Sequence, residues 1–138
     1  MKVVFDTNVL IAAFITRGVC SDVLEHCARR HTLVTSEFIL HEFHKHMVHK
    51  FKYSEVEAKE AIGLLRSRME VVAPANLGTT VCRDADDDAV LGTAIAGNAM
   101  CIVTGDKDLL IIGRFQGVDI VRPAQFAEYE VVIEGETA

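Results

Sequence analysis

Apolar and polar positions along the chain follow two rhythms, short apolar runs and helix-spaced stripes, and these take turns. Val3-Val4-Phe5 reads as a first strand, and residues 7–15 as a short apolar helix ending near Arg17-Gly18. Ser21 is placed to cap a second helix reaching about Arg30, before a second strand, Thr32-Leu33-Val34-Thr35. Ser36 then caps a long helix to about Phe51, with Ile39 or Leu40, Phe43, Met47 and Phe51 as its apolar stripe. Ser54-Glu55-Val56-Glu57 spells a capping box, serine at the cap and glutamate three on, and opens a helix to about Arg68. A brief strand at 70–72 leads to a loop around Pro74 and Gly78. Residues 87–96 predict a helix with acids at its positive end and Gly97 closing it. A buried strand at 100–103, a short helix at 106–112, a last strand at 118–121 and a short helix at 123–129 complete the order. Residues 131–138 show no clear pattern and are expected to be a disordered or partner-binding tail. There is no internal repeat or low-complexity segment.

Strands alternating with helices predict an α/β chain: a three-layer α/β/α arrangement with a central parallel sheet flanked by helices. In such sheets the functional crevice lies beyond the carboxyl ends of the strands. The 138 residues suit one domain over 1–130, followed by the 131–138 tail.

Composition narrows the function. Half the residues are hydrophobic and a quarter charged, as in an ordinary globular protein. No apolar run approaches the ~18 to 20 residues of a membrane span. The start is charged again by Asp6, so no signal peptide and a cytoplasmic location are expected. Cys20, Cys27, Cys82 and Cys101 form no Cys-x-x-Cys pair, which excludes a zinc ribbon or redox motif and predicts thiols. The net charge of -6 argues against broad, salt-driven nucleic-acid binding. It does not argue against a carboxylate-rich site in which a metal brings the positive charge.

Such a site is visible. Asp6 follows the first strand, and Asp106 follows Val103 after Thr104 and Gly105. Glu42 lies about two turns into the helix after the second strand, opposite its apolar stripe. Asp84, Asp86, Asp87 and Asp88 crowd the start of another helix. Taken singly, each acid has an ordinary use. Asp6 and Asp108 suit helix caps, Glu42 suits a surface, and at least two of the 84–88 run suit a solvated helix start. Together they bring carboxylates from four segments to one sheet edge, which repulsion and desolvation oppose unless a cation joins them. Oxygen donors without a histidine or cysteine pattern favour Mg²⁺ or Mn²⁺.

Val3-Val4-Phe5-Asp6-Thr7-Asn8-Val9-Leu10 resembles the opening motif of PIN domains. Ser36-Glu37 with Glu42 resembles their second acidic position, the run from Asp84 to Leu91 the third, and Val103-Thr104-Gly105-Asp106-Lys107-Asp108-Leu109-Leu110 the fourth. Val121-Arg122-Pro123-Ala124-Gln125-Phe126 resembles the closing strand and turn. The likeness runs in order over residues 1–127 and is nearest to the prokaryotic, VapC-like toxin components of toxin-antitoxin systems. It implies a Mg²⁺- or Mn²⁺-dependent endoribonuclease in which Asp6, Glu42, Asp88 and Asp106 are the catalytic, metal-holding acids. Asp88 is preferred because it directly precedes Ala89-Val90-Leu91, with Asp86 or Asp87 as substitutes. Asn8 would hold Asp6 or water, and Thr104 would support the metal shell. An RNA substrate, a homodimer and an antitoxin partner are implied as well. The apolar helices at 7–15 and 54–68 are read either as core or as surplus hydrophobic surface that a partner would cover.

Other chemistries fit less well. His41-Glu42-Phe43-His44-Lys45 lacks the second histidine that a zinc-protease helix needs, because Lys45 stands there. That helix face, with Lys45, His46 and Lys50, is either a solvated surface or a contact for RNA phosphates. Asp84-x-Asp86-x-Asp88 lacks the glycine and the closing glutamate of a calcium loop. Asn8 replaces the second aspartate of haloacid-type phosphatases, and no Walker loop, dinucleotide fingerprint or nucleophile elbow is present. An RNA maturation or decay nuclease, and a binding module with a vestigial site, remain as alternatives.

Overall fold

The computed structural model describes residues 1–137. Its elements run β1 (Lys2–Phe5), α1 (Thr7–Ile15), α2 (Val19–Arg30), β2 (Thr32–Ser36), α3 (Glu37–His49), α4 (Glu55–Arg68), β3 (Met69–Val72), α5 (Ala85–Ala96), β4 (Cys101–Val103), α6 (Lys107–Ile112), β5 (Arg114–Phe115) and β6 (Val118–Val121), then a 3-10 turn (Pro123–Gln125) and α7 (Phe126–Thr137). Helices flank the sheet in three layers, as expected. The strand order is β3-β2-β1-β4-β6-β5, parallel except for the β5–β6 pair.

The central strands are apolar on both faces because helices cover both faces. Val3, Val4, Ile102 and Val103 are fully buried, and α3 contributes Ile39, Leu40, Phe43 and Met47 to the same core. The caps form as the sequence predicts. Ser36 Oγ accepts from the Ile39 amide at 3.3 Å, while Ser54 and Glu57 satisfy each other's amides at 3.1 Å. Ser36 also accepts from the buried Thr93 hydroxyl at 2.8 Å, tying α5 to the start of α3. Among the described residues no single helix is long and apolar enough to cross a membrane.

The chain departs from the expected elements at four places. α2 begins at Val19 rather than after Ser21, whose hydroxyl turns back to the Gly18 amide at 2.9 Å. α5 begins at Ala85, with Asp84 as its cap, two residues before the expected start. An edge strand, β5, pairs antiparallel with β6 through a two-residue turn. Gln116 and Gly117 both have positive φ there, 47° and 83°, matching a hairpin turn with glycine second. Finally, 131–137 is not a patternless tail, since α7 continues through Thr137. It is anchored by the buried Phe126 and by Glu130, whose carboxylate meets His26 and His31 across from α2.

Gly92 sets how closely the 73–84 loop lies on α5. A Cβ there would stand 2.5 Å from the Ala75 carbonyl oxygen, and the Ala75 amide donates to the Gly92 carbonyl at 2.9 Å. The obstacle is hydrogen-bonded backbone, so it cannot simply rotate aside. Gly92→Ala should therefore cost about 1–2 kcal/mol, because overpacking outweighs the ~1 kcal/mol gain in helix propensity. Urea unfolding measures it, and a variant at least as stable as the parent would show that the loop is not pinned.

Candidate active site

β1 and β4 lie side by side with Phe5 opposite Val103, and both end at the same sheet edge. From β1 the chain moves outward to β2 and β3; from β4 it moves the other way, to β6. The β1–β4 boundary is thus the topological switch point, where no loop bridges the two strand ends and a crevice opens. Asp6 leaves β1 at this point, only 7% exposed. One carboxylate oxygen caps α1 through the Thr7 amide at 2.7 Å, and the other accepts from the Thr104 hydroxyl at 2.7 Å. Thr104 Oγ1 in turn accepts from the Asp106 amide at 3.0 Å, so one buried hydroxyl fixes both strand ends. Asp106 caps α6, accepting from the Asp108 and Leu109 amides at 2.8 and 3.4 Å.

α5 closes the cleft from the side. Its cap, Asp84, accepts from the Asp86 amide at 2.9 Å, and one turn on, the buried Asp87 points toward Asp106 and Asp6. Oxygens of Asp87, Asp106 and Asp108 lie within 4.8 Å of one another. Burial pushes the Asp87 carboxyl up to about 7, reinforced by the charges of Asp106, Asp6 and Asp84. Burial raises Asp6 too; its hydrogen bonds to Thr104 and Thr7 oppose this, and Asp106 adds to it. Asp86, more exposed at the rim, is raised by desolvation and by Asp84 and Glu42, with Lys45 and His46 pulling the other way. Glu42 lines the cleft from α3 and meets His46 Nε2 at 3.4 Å, one turn along. Phe38 and Val90 supply apolar wall.

The residues singled out in the sequence divide accordingly. Asp6, Asn8, Glu42, Asp86, Asp87, Asp106 and His46 line one cleft, together with Asp84. Asp88, the preferred third acid, is turned away. Its oxygens accept from the Val81 and Cys82 amides at 3.1 and 2.7 Å. Burial alone would raise the Asp88 carboxyl, but these bonds hold it below the usual range. The reason is the helical phase of α5: Asp87 stands three, four and seven residues before the buried Val90, Leu91 and Ala94 and shares their face, while Asp88, about 100° further round, meets the loop. Asn8 stands exposed at the mouth, and Asp6 is held by Thr7 and Thr104 instead. Lys45 reaches the rim near Asp86. Lys50 is outside the cleft lining, at the far end of α3, its ammonium 5.6 Å from the Phe51 ring centre. Asp108 is not the cap of α6; it pairs with Arg83 at 2.8 Å. Asp84, one of the acids at the start of that helix, is its cap as well as part of the cleft lining.

Comparison with known proteins agrees with this architecture. A profile of the PIN domain matches residues 2–108. Over 121 residues the chain is 33% identical to a protein of Methanocaldococcus jannaschii named uncharacterized protein MJ1680, covering 80% of this chain and 74% of that one. Its fold is similar to that of VapBC2 from Rickettsia felis, solved bound to a DNA fragment from their promoter (TM-score 0.64, 17% identity, 88% of this chain and 98% of that one). It is similar also to VapBC-1 from nontypeable Haemophilus influenzae (0.64, 19%, 90% and 99%) and to FitAcB from Neisseria gonorrhoeae (0.59, 17%, 88% and 98%). The profile match spans most of the chain, and on that ground the protein belongs to the PIN-domain family.

Proposed function

We propose that the chain is a divalent-metal-dependent endoribonuclease and that it acts as the toxin half of a toxin-antitoxin pair. The observation that carries the nuclease reading is the gathering of Asp6, Asp87 and Asp106 in one cleft, where burial, reinforced by the neighbouring charges, pushes Asp87 up to about 7. A cleft that strains its own carboxylates in this way is built for cations, and a donor set made of carboxylate oxygens suits Mg²⁺ or Mn²⁺. Asp6, Glu42, Asp87 and Asp106 are the residues to hold it, with Asp84 and Asp86 at the rim. The ion supplies Lewis acidity at the phosphate and a lower pKa for water. Thr104 keeps Asp6 and Asp106 in fixed register, so the donor oxygens need little reorganisation. Hydrolysis then adds water at phosphorus, passes its proton to a cleft carboxylate, and breaks the bond to the leaving ribose oxygen. Lys45 and His46, on the α3 face beside the acids, are the residues that would meet flanking phosphates.

The toxin reading rests on the resemblance to PIN toxins and on the fold shared with the VapBC and FitAcB structures. Exposed apolar side chains on α4, Val56 at 66% and Leu64 at 49%, support an antitoxin or a second copy as partner.

Cleavage of end-labelled RNAs with Mn²⁺, Mg²⁺ or excess chelator tests the activity. Cutting should require metal and fall roughly 100-fold or more in Asp87→Asn; cutting that persists in chelator would overturn the mechanism. Asp88→Asn separates the two registers. It should bind Mn²⁺ within about 3-fold of the parent yet lose about 1.5–3 kcal/mol of stability, since it weakens two charge-assisted bonds. A folded Asp88→Asn that no longer binds Mn²⁺ would restore Asp88 as a ligand.

The raised Asp87 also fixes a pH dependence. Between the ordinary carboxylate range and about 7, the native protein keeps a proton that the unfolded chain has released. Native stability from this group therefore falls as pH rises through that window. In chelator, Tm should drop from about pH 5 to about pH 7.5, less steeply in Asp87→Asn, and Mn²⁺ should reverse the drop. A parent and variant with superimposable profiles would contradict it. Lys45→Ala should weaken RNA binding severalfold and shallow its salt dependence; no change in either would remove Lys45 from the interface.

A further inference from the structure

At the other end of the sheet from the acidic cleft, His26, His31 and Glu130 converge. His31 precedes β2, whose first amide donates to the Met1 carbonyl at 3.0 Å, so the cluster lies at the amino ends of β1 and β2. Asp6 leaves the carboxyl end of β1, about 15 Å away at strand rise. The Nε2 atoms of His26 and His31 approach the same oxygen, Glu130 Oε2, at 2.7 and 2.5 Å. All three donor atoms lie within 4.8 Å of one another. His26 comes from α2, His31 from the residue that ends it and Glu130 from α7, 104 and 99 residues further along the chain.

We propose that His26, His31 and Glu130 form a zinc-class metal site that fastens α7 to α2. Two imidazole nitrogens and one carboxylate oxygen are a donor set that Zn²⁺ takes, with water in the fourth position. Bonds of about 2.0–2.1 Å in tetrahedral geometry put donors about 3.3 Å apart. Glu130 Oε2 therefore needs to withdraw by less than about 1 Å from each imidazole to admit the ion. The surroundings hold the ligands in place. Phe126 packs its ring 6.3 Å from His26 and 6.0 Å from His31, and the two imidazoles stand edge to face at 5.9 Å. His31 Nδ1 lies 3.3 Å from the Met1 ammonium, which donates to it in the metal-free protein; a metal on Nε2 puts the ring proton on Nδ1, so ion binding has to release that contact or a proton from the amine. The side chains of His31 and Glu130 are 3% and 11% exposed, while that of His26, at 33%, leaves a route for the ion and its water. This donor set contains one carboxylate, so it lacks the carboxylate–carboxylate repulsion found in the cleft.

The alternative is a latch in which two N–H groups share one carboxylate oxygen. His26→Gln discriminates, because an amide can still donate to Glu130 but is a poor zinc ligand. Purified protein would be melted with and without Zn²⁺, with excess Mg²⁺ present to occupy the acidic cleft. Zn²⁺ should raise Tm by about 5 °C or more in the parent and much less in His26→Gln. In parallel, long-range ¹H–¹⁵N imidazole spectra should show Nε2 of both His26 and His31 moving to metal-bound positions at about one equivalent. Equal Zn²⁺ stabilisation of parent and variant, or Nε2 signals unmoved by saturating Zn²⁺, would overturn the proposal.

Discussion

The burial of Asp6 and Asp87 beside Asp106 at one sheet edge is the constraint around which the rest of the molecule is arranged. Burial disfavours their charged forms and mutual repulsion adds to it; Asp87, displaced to about 7, records mainly the burial. The fold offsets part of it locally. Asp6, Asp84 and Asp106 are each the N-cap of a helix, so the positive ends of α1, α5 and α6 all face the acids. The Thr104 hydroxyl donates to Asp6 and ties in the Asp106 backbone. These contacts reduce the repulsion without removing it, as befits a site whose stability is surrendered to function.

The location follows from topology. A strand pair from which the chain departs in opposite directions leaves an opening at its carboxyl end, and β1–β4 is that pair. Short links are then enough: Asp6 is the residue after β1, and Asp106 is three residues past β4. The third acid depends on a longer chain of causes. Gly92 lets the loop containing Ala75 rest against α5, Asp84 caps the helix, and the buried face of Val90, Leu91 and Ala94 sets which of the following aspartates turns inward.

That difference in causal length explains how much could be read in advance. Strand–helix alternation, the caps at Ser36 and Ser54, and the acids at strand ends all follow from local pattern, and the sheet order turned them into a cleft. The inward register of the 84–88 run lay in helix spacing, Asp87 standing three, four and seven residues before Val90, Leu91 and Ala94, and not in the adjacency to Ala89-Val90-Leu91 that favours Asp88. Asp88 has its own local reason to be acidic, the bare amides of Val81 and Cys82, visible only once the loop is folded. The C-terminal segment escaped for a related reason. Its exposed Val131 and Val132 give no clean stripe, and α7 is held instead by Phe126 and by the Glu130 pairing with histidines about a hundred residues earlier.

The polarity of the α/β unit sorts the donors between the two ends of the sheet. At the carboxyl edge helices begin, their exposed amides favour carboxylates, and the donors that gather are hard oxygens. At the amino edge α2 ends, and the dipole there favours Arg29, Arg30, His26 and His31 over acids. A glutamate is accepted at that edge only in company, which is how Glu130 enters, between two imidazoles and with its carboxyl held low by them against the effect of burial. Hard-oxygen and imidazole-rich sets prefer different ions, so one backbone direction, repeated strand by strand, keeps the cleft's chemistry apart from the fastening of the last helix.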